Sequence, residues 1–155
     1  MSSVQRKAAF AGQEMIAFRV GEQEFCVDIL AVREIRGWTP TTAIPHAPHY
    51  VLGVINLRGT VLPVVDLSAR LGFPASVPTP RHVIVVVIAE GQTIGLLVDA
   101  VSDILSISTD MMKSAPEIAQ DQTKTFITGV VAVDSRMIAR IAPERMLPER
   151  LRAVS

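Results

Sequence analysis

The sequence predicts an all-β fold of small barrels or a sandwich, with short helical turns. Valine and isoleucine supply 34 of the 155 residues, against 11 leucines, and branched side chains suit the pleated surface of a sheet. About nine or ten short apolar segments alternate with tight turns, and no long helix is indicated. The near-continuous apolar stretch 83–89 predicts a strand buried on both faces, as expected between two lobes.

The first half of the chain contains five predicted strands, each ending at a turn. These strands are Met15–Val20, Glu24–Val27, Glu34–Trp38, Val51–Asn56 and Thr60–Val65. The first two form a hairpin, and so do the last two, whose tip contains Arg58 and Gly59. Glycine adopts a positive φ without steric cost, which suits this turn. Asp28 and Asp66 are each expected to cap a short helical turn with their carboxylates.

The second half repeats this pattern of short strands and turns. Its predicted strands are His82–Ala89, Thr93–Asp99, Val101–Ile107, Phe126–Val133 and Met137–Ile141. Residues 113–125 are polar and are expected to form a loop. Pro143 suits the first position of a helix, because its fixed φ matches a helical turn and the amide it lacks would be unpaired there.

The length of the chain suits one domain, or two small lobes with a common core. We expect a flexible tail over 1–13, a single domain over 14–148, and a C-terminal helix and tail over 143–155. Three prolines fall within 73–81, which is the predicted divide between the lobes. The first barrel is then mostly 14–72 and the second mostly 82–142.

The composition argues against several classes of protein. Lys plus Arg equals Asp plus Glu, so the net charge is zero and the basic footprint of a nucleic-acid-binding protein is missing. The single cysteine, Cys26, excludes an internal disulfide and fits a reducing compartment. No apolar segment approaches the roughly 20 residues of a membrane-spanning helix. We therefore expect a soluble, cytoplasmic protein.

No pattern of catalytic or metal-binding residues stands out. His46 and His49 have no further ligands nearby in sequence and are interpreted as ordinary loop residues. Cys26 is interpreted as a small strand residue, since a nucleophile needs an accessible, electropositive setting. No glycine-rich phosphate loop precedes a helix. The expectation is a protein without cofactor, metal or enzymatic activity.

Arg58 and Glu34 are the charged residues for which a role in binding is considered beside an ordinary solvated surface role. An arginine held by a tight turn is a common anchor at protein interfaces. Glu34 and Arg36 lie on a short strand whose Ile35 is expected to point inward. If Glu34 and Arg58 meet, an exposed pair adds only about 0–1 kcal/mol of stability, so its value would lie in recognition.

The segment Gly53-Val54-Ile55-Asn56-Leu57-Arg58-Gly59, followed by Pro63 and Asp66-Leu67, closely resembles the signature of CheW-type chemotaxis coupling proteins. The resemblance continues through Glu34-Ile35-Arg36-Gly37 and covers about residues 14–148. It implies two five-stranded SH3-like β-barrels that share a hydrophobic core. It also implies a non-catalytic scaffold that joins the cytoplasmic tip of a chemoreceptor, a methyl-accepting chemotaxis protein, to the regulatory domain of a CheA-type histidine kinase.

The resemblance also assigns residues to two binding surfaces. By position, the residues expected to face the receptor are Val32, Glu34, Gly53 and Arg58. Those expected to form part of the kinase contact, in the second barrel, are Val83, Gly95 and Val101. The resemblance further implies recruitment to membrane-associated receptor arrays without insertion into the membrane, and no nucleic-acid partner. The isolated protein is expected to be a monomer.

The last strand departs from the family pattern. Arg140 and Pro143 stand where aliphatic and acidic or polar residues are more usual. Either the closing hairpin is shorter, or Arg140 faces a partner. Three other functions remain open: a coupler of the same fold in a non-flagellar signalling array, a small β-barrel nucleic-acid-binding protein, and a hydrolase or ligand-binding barrel.

Overall fold

Two sheets form the structure, a computed structural model that describes residues 13–113 and 126–147. The strands are β1 (Gln13–Val20), β2 (Gln23–Asp28), β3 (Val32–Gly37), β4 (Val51–Leu57), β5 (Thr60–Asp66), β6 (Val83–Ala89), β7 (Gln92–Val98), β8 (Ala100–Ile107), β9 (Met112–Lys113), β10 (Ile127–Val133) and β11 (Arg136–Ile141). One short helix, α1 (Leu67–Arg70), follows β5. Single 3-10 turns lie at Ile29–Ala31, Thr109–Met111 and Pro143–Arg145.

The first sheet has the strand order β8-β1-β2-β11-β10-β9, and the second has the order β3-β6-β7-β5-β4. Since β9 contains only two residues, each sheet is built mainly from five strands. The predicted all-β fold of two small SH3-like barrels is confirmed. Most neighbours are antiparallel, but β11 runs parallel to β2, and β5 runs parallel to β7.

The sheets divide the chain differently from the predicted lobes of 14–72 and 82–142. β1 and β2 join β8 to β11 in the first sheet, whereas the continuous segment from β3 to β7 forms the second. The proline-rich segment 73–81 therefore connects two strands of one sheet, β5 and β6. Pairings such as Ile16 with Ile104, between β1 and β8, join distant parts of the chain, and local periodicity does not reveal them.

Three apolar clusters occupy the two barrel interiors and the space between the barrels. The first barrel contains Met15, Ala17, Cys26, Leu105, Ile107, Val131 and Ile138. The second contains Ile55, Leu57, Leu62, Val64, Ile84, Val86 and Leu97. A larger shared cluster draws on both sheets and includes Phe18, Phe25, Val85, Val87 and Leu96. β6 contributes alternate residues to the interior of the second barrel and to the shared cluster. It is therefore buried on both faces, as its apolar sequence predicted.

The hairpin tips have a common backbone geometry. The turn pairs Arg58–Gly59, Glu90–Gly91 and Asp134–Ser135 all have positive φ at both residues, which is the pattern of the type I′ turn and matches the twist of the flanking strands. The predicted hairpin with Arg58 and Gly59 at its tip is therefore confirmed.

The two predicted aspartate caps have different outcomes. Asp28 Oδ1 accepts a hydrogen bond from the amide of Leu30 at 2.9 Å, so this cap is confirmed. Asp66 does not cap α1 with its side chain. Its buried carboxylate instead accepts from the amide of Ser76 at 2.7 Å and from the Ser76 hydroxyl at 2.9 Å. Ser76, in the proline-rich connection, thus supplies the hydrogen bonds to the Asp66 carboxylate that was expected to cap the helix.

Several predicted features lie outside the described residues. These are the tail before Gln13, the loop after Lys113 and the chain beyond Leu147. Of the predicted C-terminal helix, the structure describes the 3-10 turn Pro143–Arg145, with proline at its start. The preference of proline for the first turn accounts for that position.

Candidate protein-interaction site

The tip of the β4–β5 hairpin holds Arg58 in a fixed and strained conformation. Arg58 has φ 51° and Gly59 has φ 86°. The amide of Gly59 donates to Oδ1 of Asn56 at 2.9 Å, which closes the turn with a side chain. A left-handed conformation costs a residue with a Cβ roughly 1–2 kcal/mol. The turn therefore directs the Arg58 side chain outward at a cost that a glycine would avoid.

Arg58 forms an ion pair with Glu34 across the open side of the second sheet. Nη2 of Arg58 donates to Oε1 of Glu34, and Nη1 of Arg36 lies 3.8 Å from Oε2 of the same carboxylate. Because β3 and β4 are the two outer strands of this sheet, the pair joins its opposite edges. The predicted meeting of Glu34 and Arg58 is present in the structure.

The chain between β3 and β4 helps to close the same barrel. The amide of Val54 donates to the carbonyl of Thr42 at 2.8 Å, and the amide of Thr42 donates to the carbonyl of Val54 at 2.9 Å. The Thr41 hydroxyl donates to the carbonyl of Leu52 at 3.0 Å. The backbone of β4 is therefore paired on its outer side, and the Arg58 tip projects beyond this seam.

The expectation that Ile35 points inward is wrong. Ile35 is 44% exposed, whereas Glu34 and Arg36 pair with Val86 and Ile84 and so share the face of the barrel interior. A register shift between Val32 and Glu34 adds a residue to β3 and reverses the alternation beyond it. Glu34 is thereby turned toward Arg58.

The charges at this surface form an uneven trio of two arginines and one glutamate. Glu34 is 25% exposed and Arg36 33%, but Arg58 is 74% exposed. An ion pair in such an exposed setting contributes little stability. The Arg58 side chain stays mostly exposed after pairing with Glu34, so the trio presents a net positive group to a partner.

The other two predicted receptor residues lie beside this pair rather than in it. Val32 is half-buried at the start of β3 and packs against the shared cluster. Gly53 is buried, with φ 141°, and a Cβ built on it would lie 2.3 Å from the carbonyl oxygen of Thr42. Gly53 thus permits the close approach of the β3–β4 connection to β4 and shapes the surface from behind.

The three predicted kinase-contact residues lie in different environments. Gly95 is buried, and a Cβ there would lie 2.8 Å from Cγ2 of Ile84, inside the second barrel. Val83 opens β6 in the same sheet, but Val101 belongs to β8 in the first sheet, contrary to the expectation that all three lie in the second barrel. Val83 and Val101 are half-buried against the shared cluster.

A contact between a histidine and a carboxylate lies between the half-buried valines. Nε2 of His82 is 3.4 Å from Oδ1 of Asp99, and these residues immediately precede Val83 and follow Val98. Oδ2 of Asp99 accepts from the amide of Gly21 at 2.7 Å. The start of β6, the β7–β8 junction and the β1–β2 turn therefore meet at one place, near Val83 and Val101.

A second ion cluster, missed in the sequence, lies on the first barrel. Arg136 donates to Glu24 through Nε at 3.0 Å and to both oxygens of Asp103 at 3.1 Å. Hydrogen bonding to Arg136 lowers the pKa of Glu24. The three residues belong to β11, β2 and β8. No local pattern indicates this cluster, because its members are far apart along the chain.

Metal binding and thiol chemistry find no support in the described part of the chain. Across residues 13–113 and 126–147, no group of three or more His, Cys, Asp or Glu is placed to hold a metal ion. Cys26 is buried, and burial raises the pKa of its thiol to about 12, so the reactive thiolate is scarce at neutral pH. No helix in these ranges has the length and apolar character to cross a bilayer.

Two small barrels on a shared core, with an arginine-bearing hairpin fixed against an edge strand, define a module suited to binding other proteins. The particular kind of module follows from comparison with known families. Residues 14–151 match the model of the CheW-like domain, so the chain belongs to the CheW-like family.

Individual relatives agree with this assignment. The chain is 55% identical over 152 residues to the chemotaxis protein CheW of Rhizobium meliloti (strain 1021), covering 98% of each. It is 36% identical to the chemotaxis protein CheW of Klebsiella aerogenes, covering 88% of this chain and 82% of the relative. Its fold matches the crystal structure of the scaffolding protein TtCheW from Thermoanaerobacter tengcongensis with a TM-score of 0.78 and 31% identity, covering 84% of this chain and 88% of that one.

Proposed function

We propose that this chain is a non-catalytic scaffold that couples chemoreceptor tips to a CheA-type histidine kinase in bacterial chemotaxis. Membership of the CheW-like family supports this function, as do relatives named chemotaxis protein CheW. The observation that carries the proposal is the Arg58–Glu34 pair, placed at a strained hairpin tip where it adds little stability. A costly, exposed arrangement of this kind is expected at a recognition surface.

The receptor-facing surface comprises Val32, Glu34, Gly53 and Arg58. Arg58 is the direct anchor, because it projects from the tip and keeps free donors after pairing with Glu34. Glu34 fixes the direction of the guanidinium. Val32 anchors the start of β3 in the shared cluster, and Gly53 permits the close approach of Thr42 to β4, so both shape the surface beside the pair.

The kinase-facing surface is placed near Val83 and Val101. Both valines adjoin the His82–Asp99 pair, at the junction of the barrels. Gly95 acts here through packing, because a larger residue at this buried position would press on Ile84 and displace β6, which begins with Val83. The kinase contact thus consists of Val83 and Val101 at this junction, and Gly95 supports it from the barrel interior.

The mechanism of such a scaffold is coupling through geometry. If the scaffold holds the receptor tip and the kinase in fixed relation, a rearrangement of the receptor changes the relative free energy of the active and inactive kinase. This role needs no cofactor. It places the protein in the cytoplasm, recruited to membrane-associated receptor arrays, and monomeric when isolated.

Charge reversal at Arg58 tests the receptor surface. Arg58→Glu is expected to weaken binding of a purified receptor-tip fragment about tenfold or more, because two glutamates would then face the partner. Binding of the kinase regulatory domain should not change, and circular dichroism should show a native fold. The matched control is Arg33→Glu, which reverses an exposed arginine on β3 outside the ion pair and should have little effect.

The double variant Arg58→Glu with Glu34→Arg separates two roles of the pair. Recovery of receptor binding would mean that the pair acts by fixing local geometry. Continued loss would mean that the Arg58 guanidinium touches the receptor itself. Unchanged receptor binding by the single Arg58→Glu variant would contradict the receptor surface proposed here.

A further inference from the structure

Arg140 occupies an unusual position on β11. The strand continues through Arg140 to Ile141, so the interpretation of a shortened closing hairpin is wrong. Successive residues of a strand point to opposite faces. Ile138 belongs to the interior cluster of the first barrel, and Ala139 packs against the shared cluster. Arg140 therefore lies on the interior face, half-buried, with Cys26 as its neighbour on β2.

The two arginines on this face of β11 have very different surroundings. Arg136 is hydrogen-bonded to the carboxylates of Glu24 and Asp103. Within residues 13–113 and 126–147, no carboxylate lies within ion-pair distance of Arg140. Its charge is felt by the Cys26 thiol, where it partly opposes the rise in pKa that burial causes. A half-buried cation without a counter-ion is costly.

The Arg140 side chain borders a cavity that opens at the end of the first barrel. This cavity has a volume of about 230 Å³ and is lined by Gln13, Ile107, Ser108, Thr109, Met112 and Arg140. Among the described residues that line it, Arg140 is the only charged one. The cavity thus combines one guanidinium with hydroxyl, amide and apolar groups, which suits a carboxylate on a short aliphatic stem.

A neighbouring cavity helps to decide which side an anion would enter. Arg140 also borders a cavity of about 210 Å³ between the barrels, whose lining includes Asp28, Glu90 and Glu144. Three carboxylates against one arginine disfavour a further anion there. The cavity in which Arg140 is the only charged residue of the described lining is therefore the one that favours an acidic group.

We propose that Arg140 and its cavity form a binding site for an acidic side chain, Asp or Glu, on the kinase regulatory domain. This inference rests on the proposed scaffold function. The kinase contact proposed at Val101 and this cavity share β8, because Val101 lies near the start of that strand and Ile107, at its end, lines the cavity. Arg140 thus adds a second contact for the same partner, on the first sheet, whereas Arg58 and the receptor surface lie on the second. The guanidinium can grip a carboxylate with two parallel hydrogen bonds, which gives direction as well as affinity.

Three substitutions at Arg140 test the site with purified full-length protein and the purified kinase regulatory domain. Arg140→Gln is expected to weaken kinase binding about tenfold, and Arg140→Glu more strongly, since a like charge would face the partner. Arg140→Lys should fall between wild type and Arg140→Gln, because lysine keeps the charge but loses the bidentate fork. Arg19→Gln is the matched control, as it removes an exposed arginine from β1 of the same sheet.

The outcomes separate this inference from the proposed function. Selective loss of kinase binding in the order Lys, Gln, Glu, with receptor-tip binding and thermal stability unchanged, supports the site. Wild-type kinase affinity in Arg140→Glu overturns it and leaves the scaffold function standing. Loss of receptor binding alone, or loss of thermal stability in parallel with binding, also overturns it. If wild-type protein binds no kinase regulatory domain, both the function and the site fail.

Discussion

Gly53 is restricted to glycine by the backbone that passes beside it. Gly53→Ala would place a Cβ 2.3 Å from the Thr42 carbonyl oxygen at φ 141°, so two main-chain segments must separate. We expect a loss of about 2–4 kcal/mol in the free energy of unfolding, measured by urea denaturation. Gly37→Ala is the control, since nothing lies within 4 Å of its Cβ position; it should change stability by about 0.5 kcal/mol or less.

An unchanged urea midpoint for Gly53→Ala would contradict this steric account. Receptor binding gives a second measurement of the same residue. If the folded fraction of Gly53→Ala binds the receptor tip as wild type does, Gly53 supports only the fold. Weaker binding by a fully folded variant would show that the seam also shapes the receptor surface.

The sequence predicted the most exposed part of the site and missed its inward-facing part. Arg58 was recognisable because a tight turn fixes an arginine at a tip, and Glu34 was singled out with it as a charged residue whose value would lie in recognition if the two met. The orientation of Ile35 and Arg36 was not predictable, because one extra residue at the β3 bulge reverses which face each occupies. The partners of Arg136 were equally hidden, since strand neighbours distant in sequence supply them.

At the scale of elements, α1 is too short to be stable alone. Leu67 and Ala69 bury it in the shared cluster, and Arg70 attaches it further. The Arg70 guanidinium lies 4.1 Å from the ring centre of Tyr50 and 4.5 Å from that of Phe126, and it donates to the carbonyl of Arg145 at 3.0 Å. Tyr50 precedes β4 and Phe126 precedes β10, so one side chain ties α1 to both sheets.

Removing this attachment should destabilise the fold. Arg70→Ala is expected to lower the free energy of unfolding by about 2 kcal/mol in urea denaturation, from lost cation–π and hydrogen-bond contacts. Arg70→Lys should lose less, because it keeps the charge but not the flat stacking surface. Arg81→Ala removes an exposed arginine and serves as the control. Wild-type stability of Arg70→Lys would argue against stacking of the flat guanidinium between the rings.

The Glu24–Arg136 contact joins β2 to β11 and gives stability a dependence on pH. Arg136 holds the pKa of Glu24 below its ordinary value of 4.5. A depressed native pKa adds stability above the unfolded pKa, and this stability is lost as pH falls through the native value. We expect wild type to exceed Glu24→Gln by about 1 kcal/mol at pH 7, with the difference shrinking below pH 4.5.

Urea denaturation across pH 3–7 measures this difference, with Glu22→Gln in the exposed β1–β2 turn as the control. A gap between wild type and Glu24→Gln that stays constant with pH would mean that charge pairing contributes nothing. A gap that widens in acid would have the wrong sign for a depressed carboxyl pKa.

For the molecule as a whole, local pattern predicted the strands but not their assembly. Hairpins such as β4–β5 need only neighbouring residues, and both the alternation and the turn glycine were visible. The assignment of β1 and β2 to the sheet of β8 to β11 depends on long-range pairing, so the predicted divide at 73–81 separated the wrong segments. The doubly buried β6 was the one sequence signal of a shared core, because only a strand between two clusters is apolar on both faces.

We expect the shared core to make the two barrels one cooperative unit. Trp38 is the only tryptophan and packs against the interior cluster of the second barrel, so its fluorescence reports that barrel. Ile138 belongs to the interior of the first. Ile138→Ala is expected to cost about 2–5 kcal/mol. If Phe18, Val85 and the other residues of the shared cluster hold the barrels together, the loss of stability in the first barrel must also destabilise the second barrel, which Trp38 reports.

We therefore expect Ile138→Ala to move the urea midpoint of Trp38 fluorescence by the same amount as the midpoint of far-ultraviolet circular dichroism, which reports both sheets. Leu57→Ala, in the interior of the second barrel, is the reciprocal control and should also move both midpoints together. A Trp38 transition that stays at the wild-type midpoint in Ile138→Ala, while circular dichroism shows an earlier phase, would mean that the barrels unfold separately. Coincident midpoints would show that Val85, Val87 and their neighbours join the two barrels into one unfolding unit rather than two independent lobes.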